Sequence, residues 1–164
     1  MTKEEINAHL GSNQTLQISS AGRVEQVFAL TTSETAVYED PSGRIVSMPS
    51  TSLVVDLKQD SLLLITFCAR GSVRPSGTKV IPIVFINCEI DGKPCSPNIN
   101  TIEYHYPQYC CDSRSFTWVV HKAGRGKHTI EIKWGMGNPT EIVISQRTLT
   151  IEAATLESNL GIKQ

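Results

Sequence analysis

The sequence predicts an all-β chain folded as an antiparallel two-sheet β-sandwich. About ten short runs alternate apolar and polar residues, the period of a strand buried on one face. Turn residues punctuate those runs, most clearly at Asp40-Pro41-Ser42-Gly43 and Asp91-Gly92. Only residues 2–10 carry a helical spacing, Ile6 to Leu10, and Gly11 stops it.

Residues 1–14 read as an N-terminal arm, residues 15–154 as the sandwich, and residues 155–164 as a C-terminal tail. Leu16 and Ile18 alternate with Gln17 and Ser19, and an apolar run over 24–30 follows. Asp40–Gly43 is a proline–glycine turn that predicts a hairpin between residues 35–39 and 44–48. Residues 49–52 read as a loop, after which Leu53, Val55 and Leu57 alternate with Val54, Asp56 and Lys58. The densest apolar stretch, residues 62–69, predicts a central strand covered on both faces. Residues 71–79 read as a polar loop, and residues 80–90 as a strand with Pro82 at an edge or bulge near its start. Asp91-Gly92 is the signature of a two-residue type I′ hairpin. Phe116, Trp118 and Val120 share one face of the next strand, and His128, Ile130, Ile132 and Trp134 one face of the strand after it. Both tryptophans therefore read as core, and His128 as a hydrogen-bonded structural histidine. Residues 135–139 read as a turn, and residues 141–151 as a closing strand pair or one long strand.

Composition narrows the function. With 164 residues one core can form without metal or disulfide support. The net charge of −1 gives no basic excess for nucleic acid or an anionic membrane. No apolar run approaches the roughly 20 residues of a membrane helix. Met1-Thr2-Lys3-Glu4-Glu5-Ile6 lacks the basic and apolar regions of a secretory signal, so the expected setting is cytoplasmic or virion- or particle-associated. Five cysteines, an odd number without such a signal, predict reduced thiols. Cys68 and Cys88 lie in apolar runs and read as small buried hydrophobes.

The C-terminal third resembles the end of a jelly-roll domain of the tumour-necrosis-factor and complement-globular-head type. The residues that carry the resemblance are Ser115-Phe116-Thr117-Trp118, Ala123-Gly124, Lys127-His128-Thr129-Ile130-Glu131-Ile132 and Arg147-Thr148-Leu149-Thr150-Ile151. It implies a jelly roll and a trimer formed through one apolar sheet face. No collagen-like Gly-X-Y stalk is present, so a complement-like role does not carry over.

The unusual segment is residues 94–111, with Pro94, Pro97 and Pro107. A long excursion of this kind is where binding or partner contacts concentrate. Its candidate binding residues are Tyr104, His105, Tyr106, Tyr109, Cys110 and Cys111. Imidazole and thiolate suit zinc or copper, but vicinal cysteines lack the usual two-residue spacer, and His121 or His128 would have to complete the shell. No metal or other cofactor is therefore expected. A Cys110 or Cys111 thiolate beside His105 or His121 is the nucleophilic alternative. Gly124-Arg125-Gly126-Lys127 lacks a phosphate-loop spacing and reads as a basic hairpin tip. Arg70, Arg74, Lys79, Arg125 and Lys127 could share one end of the sandwich as an anion-binding rim. The leading reading is a non-enzymatic interaction module that self-assembles as a trimer, with a protein or carbohydrate ligand. A lectin-like domain stacking sugars on the tyrosines is second. A metal-dependent or Cys–His enzyme on a β-sandwich is third.

Overall fold

The computed structural model describes residues 14–16, 24–40, 42–75, 83–97, 102–104, 111–137 and 140–155, with backbone alone for 14–16, 75, 102–104 and 140. Every regular element among them is a strand: β1 (Gln14–Leu16), β2 (Val24–Thr32), β3 (Ala36–Tyr38), β4 (Val46–Leu57), β5 (Ser61–Pro75), β6 (Ile83–Ile90), β7 (Lys93–Pro94), β8 (Ile102–Tyr104), β9 (Asp112–Ala123), β10 (Gly126–Gly137) and β11 (Thr140–Thr155). The expected arm and tail lie outside the described residues, except that Gln14 begins β1 and Thr155 ends β11.

The pairing is a nested hairpin. β2 lies antiparallel to β11, β4 to β10, β5 to β9, and β6 to β8. The hairpin is rolled so that β11 also pairs with β5 and β10 with β6. The result is one sheet ordered β1-β2-β11-β5-β9, with β3 on β11, facing a second ordered β4-β10-β6-β7, with β8 on β6. This strand order is a jelly roll.

Period-two alternation decides what enters the core. Leu63, Ile65, Phe67, Trp118, Leu149 and Ile151 project from the first sheet, and Val55, Leu57, Ile86, Ile130, Ile132 and Trp134 from the second, all essentially buried. Each such side chain contributes on the order of 1.5–3 kcal/mol of transfer free energy. Both tryptophans are core residues, as their alternation predicts.

Several local expectations are corrected. Asp40–Gly43 does turn, with the Gly43 amide donating to the Asp40 carbonyl at 3.1 Å, but it is not a hairpin. β3 pairs with β11 in one sheet and β4 with β10 in the other, so the turn is a corner between sheets. Tyr38 explains why. Its ring packs edge-on against Trp134 at 5.5 Å, and its hydroxyl donates to the Arg44 carbonyl, fastening the corner to the opposite sheet. The connection between β9 and β10 likewise crosses between sheets. Residues 62–69 do form a central strand, but one face only is fully covered: Leu62, Leu64 and Thr66 are half-buried and Cys68 is exposed. Cys88 is buried as expected.

The supposed loop after residue 70 continues β5 to Pro75, where Gly71 and Val73 face the core. Residues 49–52 lie within β4, where a register shift takes up the extra length. Gly135 and Gly137 belong to β10 rather than to a turn. A side chain at Gly137 would meet the Phe85 ring at 2.9 Å, and one at Gly135 would meet Ile45 and the Arg44 carbonyl at 3.2 Å. The closing segment is one long strand with a bulge between Ile144 and Arg147.

Candidate functional site

The two seams between the sheets are closed by different chemistry. At one, buried Gln26 on β2 donates to the Asp56 carbonyl at 3.1 Å and accepts from the Lys58 amide at 3.0 Å. At the other, β6 and β9 face each other across a gap, and the excursion begins by filling it. β7 pairs with Glu89 and Ile90, β8 pairs with residues 84–86, and Ser96 bridges to Val119. Ser96 donates to the Val119 carbonyl at 3.2 Å and accepts from the Val119 amide at 2.6 Å. The excursion thus satisfies sheet-edge groups that would otherwise be open to strand addition.

The hairpin that starts this strap is held at its tip. Asp91 and Gly92 take the positive φ values, 50° and 73°, that a type I′ turn requires. Asp91 accepts from the Thr129 amide at 2.8 Å through one oxygen and meets His128 Nδ1 at 2.7 Å through the other. His128 Nε2 lies 2.6 Å from the Gly124 carbonyl. Both ring nitrogens face acceptors, so the geometry suits the doubly protonated imidazolium. Burial alone would lower the His128 pKa, but the bonds to Asp91 and Gly124 outweigh it and the net shift is upward. Asp91 is held below the usual carboxylate range, chiefly by its bond to His128. His128 is a structural clasp, as its place on the strand predicts.

At the hairpin's base Cys88 and Cys95 meet with their sulfurs 3.6 Å apart. The Cys95 amide also donates to the Cys88 carbonyl at 2.9 Å. No sequence signal singled out Cys95 as the partner of Cys88, nor Asp91 as the anchor of His128. Each pairing depends on register across strands.

Of the sequence-predicted site, the backbone of Tyr104 pairs with Val84, and Cys111 is exposed just ahead of β9. His105, Tyr106, Tyr109 and Cys110 lie outside the described residues. The expected pairing of Cys111 with His121 fails on distance. Asp112, beside Cys111, and His121 are separated by nine residue steps along β9, roughly 30 Å, so Cys111 and His121 form no nucleophile–base pair. His128 is already committed to Asp91. The basic residues do not share one end either. Arg70 lies nine steps along β5 from Ser61, roughly 30 Å, whereas the Arg125 amide binds Asp60 beside that strand's start. Arg74 pairs with Glu141 at 2.7 Å, and Lys79 lies outside the described residues. Among the described residues no group of three His, Cys, Asp or Glu side chains is placed to hold a metal ion.

The outer faces of the two sheets differ in chemistry. On the β4-β10-β6 sheet, Lys133 reaches Glu131 at 2.7 Å, Glu89 at 3.4 Å and Ser47 at 2.9 Å, a half-buried charge network. On the other sheet three rows cross the strands: Val27, Glu152, Leu64, Val119; Ala29, Thr150, Thr66, Thr117; and Thr31, Thr148, Cys68, Ser115. Of these twelve side chains only Glu152 is charged.

No family model matches the chain, and no curated protein matches it in sequence. Among solved structures it is similar to the CBM36-1 domain of a multidomain xylanase from the hindgut metagenome of Trinervitermes trinervoides, at 15% identity and a TM-score of 0.39, over 88% of this chain and 100% of that one. It is similar to a chain of the infectious bursal disease virus Gx strain, at 10% identity and a TM-score of 0.41, over 81% of this chain and 37% of that one. It is also similar to dimeric latent PorU from Porphyromonas gingivalis, at 10% identity and a TM-score of 0.42, over 87% of this chain and 14% of that one.

Proposed function

We propose that this jelly roll is a non-enzymatic structural module that self-assembles, as a trimer, through the outer face of the β1-β2-β11-β5-β9 sheet. The observation that carries the reading is the chemistry of that face. Small, β-branched and hydroxyl side chains cover its centre, with Val27, Leu64, Thr66, Val119 and Thr150 half-buried. Exposed Glu25, Arg70 and His121 lie toward its margins. A charge-poor centre with a polar rim is the anatomy of a protein interface. The outer face of the opposite sheet instead carries the Lys133, Glu131 and Glu89 network, beside exposed Val54.

The trimeric state is proposed on the resemblance of the C-terminal third to tumour-necrosis-factor-type jelly rolls. The test is the mass of the full chain in solution at micromolar concentration. Three times the chain mass of 18.0 kDa is expected. A monomer ends the assembly reading.

A further inference from the structure

At the base of the β6–β7 hairpin two buried thiols, Cys88 and Cys95, lie in contact. The two continue the register set by Glu89 with Pro94 and Ile90 with Lys93, so they stand directly opposite each other. Directly opposed, hydrogen-bonded residues have Cα atoms about 5.5 Å apart. That falls inside the disulfide range, so closing the 3.6 Å sulfur gap to a bond of about 2.05 Å needs side-chain rotation rather than backbone travel.

We propose that Cys88 and Cys95 are a thiol–disulfide pair, oxidised to an intramolecular disulfide by a low-molecular-weight disulfide. Cys95 is the attacking sulfur. It follows β7 at the sheet edge, whereas Cys88 lies within β6, and the net shift of its pKa is downward, through its hydrogen bond with Cys88, although burial opposes it. Cys88 is pushed up by the same bond and by burial, so it keeps its proton longer. Both sulfurs are buried, at 0% and 2% exposure, but Cys95 belongs to a strap whose strand, β7, has two exposed residues at the sheet edge. Local opening of such a short edge admits the reagent.

The exchange balances. The Cys95 thiolate attacks one sulfur of the external disulfide, forming a mixed disulfide and expelling one thiolate. Cys88 loses its proton to solvent and attacks the Cys95 sulfur. The internal bond forms and the second thiolate leaves. Two protein thiols are oxidised, and one external disulfide is reduced to two thiols. Because the next residue, Ser96, bonds to Val119, the new bond fixes the strap across the seam between the sheets.

The test uses the full chain carrying Cys68→Ser, Cys110→Ser and Cys111→Ser, with the unsubstituted chain treated alongside in case that variant does not fold. Each is incubated folded with glutathione disulfide, alkylated, and cleaved on the amino side of aspartate without reduction. Cleavage ahead of Asp60, Asp91 and Asp112 places Cys88 and Cys95 on separate fragments, 60–90 and 91–111. The expected product is those fragments joined through Cys88 and Cys95, as located by fragment sequencing, and released by reductant. Recovery of both cysteines alkylated, or of Cys95 carrying only glutathione, would overturn the proposal.

Discussion

Gly43 and Gly92 share a backbone conformation, with φ of 70° and 73°, but not an environment. A Cβ at Gly92 would meet nothing within 4 Å, whereas one at Gly43 would lie 2.5 Å from the Met136 carbonyl oxygen. Replacing either by Ala forces a left-handed residue, costing about 1–2 kcal/mol. Loss of unfolded-chain entropy returns about 0.4–1 kcal/mol of that. Gly92→Ala therefore nets about 1 kcal/mol. At Gly43 the obstacle is backbone of a paired strand, which cannot rotate aside, and overpacking of this kind adds about 1–3 kcal/mol. Gly43→Ala is thus expected to cost about 3 kcal/mol. For a chain of this length that is a fall in Tm of roughly 9 °C, against roughly 3 °C for Gly92→Ala. Thermal unfolding of the two variants beside the parent measures both. Equal losses would show that Gly43 does not press on β10, and the inter-sheet corner would be wrong.

Phe67 and Cys68 are adjacent but lie on opposite faces of β5. Phe67→Ala should cost about 3–5 kcal/mol in urea unfolding, and Cys68→Ala less than about 0.5 kcal/mol; comparable losses would refute the face assignment. The His128 clasp has a definite pH sign. Its raised folded-state pKa makes its contribution full below the unfolded value near 6.5, and that contribution is lost as pH rises through the folded value. Asp91 has the opposite sense, its contribution disappearing as pH falls through its lowered pKa. His128→Gln should therefore destabilise by about 1 kcal/mol at pH 5.5 and by less at pH 8.5, read by chemical denaturation. A loss independent of pH would exclude the imidazolium. Gly137→Val should lower stability by about 1–3 kcal/mol because Phe85 must leave its place over β10. Adding Phe85→Ala should recover part of that loss, and strictly additive losses would count against the contact.

What was legible in the sequence is what depends on local period and turn chemistry. Alternation placed Trp118, Trp134, Ile130 and Ile132 in the core, and Asp91-Gly92 declared its hairpin. The Asp40–Gly43 turn was legible as a turn but not as a corner, because its role depends on Tyr38 and Trp134, 96 residues apart. Gly135 and Gly137 suggest a turn by propensity, but Ile45 and Phe85, from two neighbouring segments, make them strand positions. Cys68 lies in an apolar run, yet parity with Phe67 turns it outward. The Cys88–Cys95 pair and the His128 clasp were hidden for the same reason: a one-residue change of register would separate either pair.

In the proposed assembly, copies of the chain meet through the charge-poor sheet face. Thr66 lies in the middle of that face, between Thr150 and Thr117, on the side of β5 opposite buried Ile65 and Phe67. Sedimentation equilibrium of the parent and of Thr66→Arg, with the Tm of each recorded, tests the claim most directly. The prediction is a trimer for the parent and a folded monomer for Thr66→Arg. A monomeric parent, or a Thr66→Arg chain that remains trimeric, contradicts it.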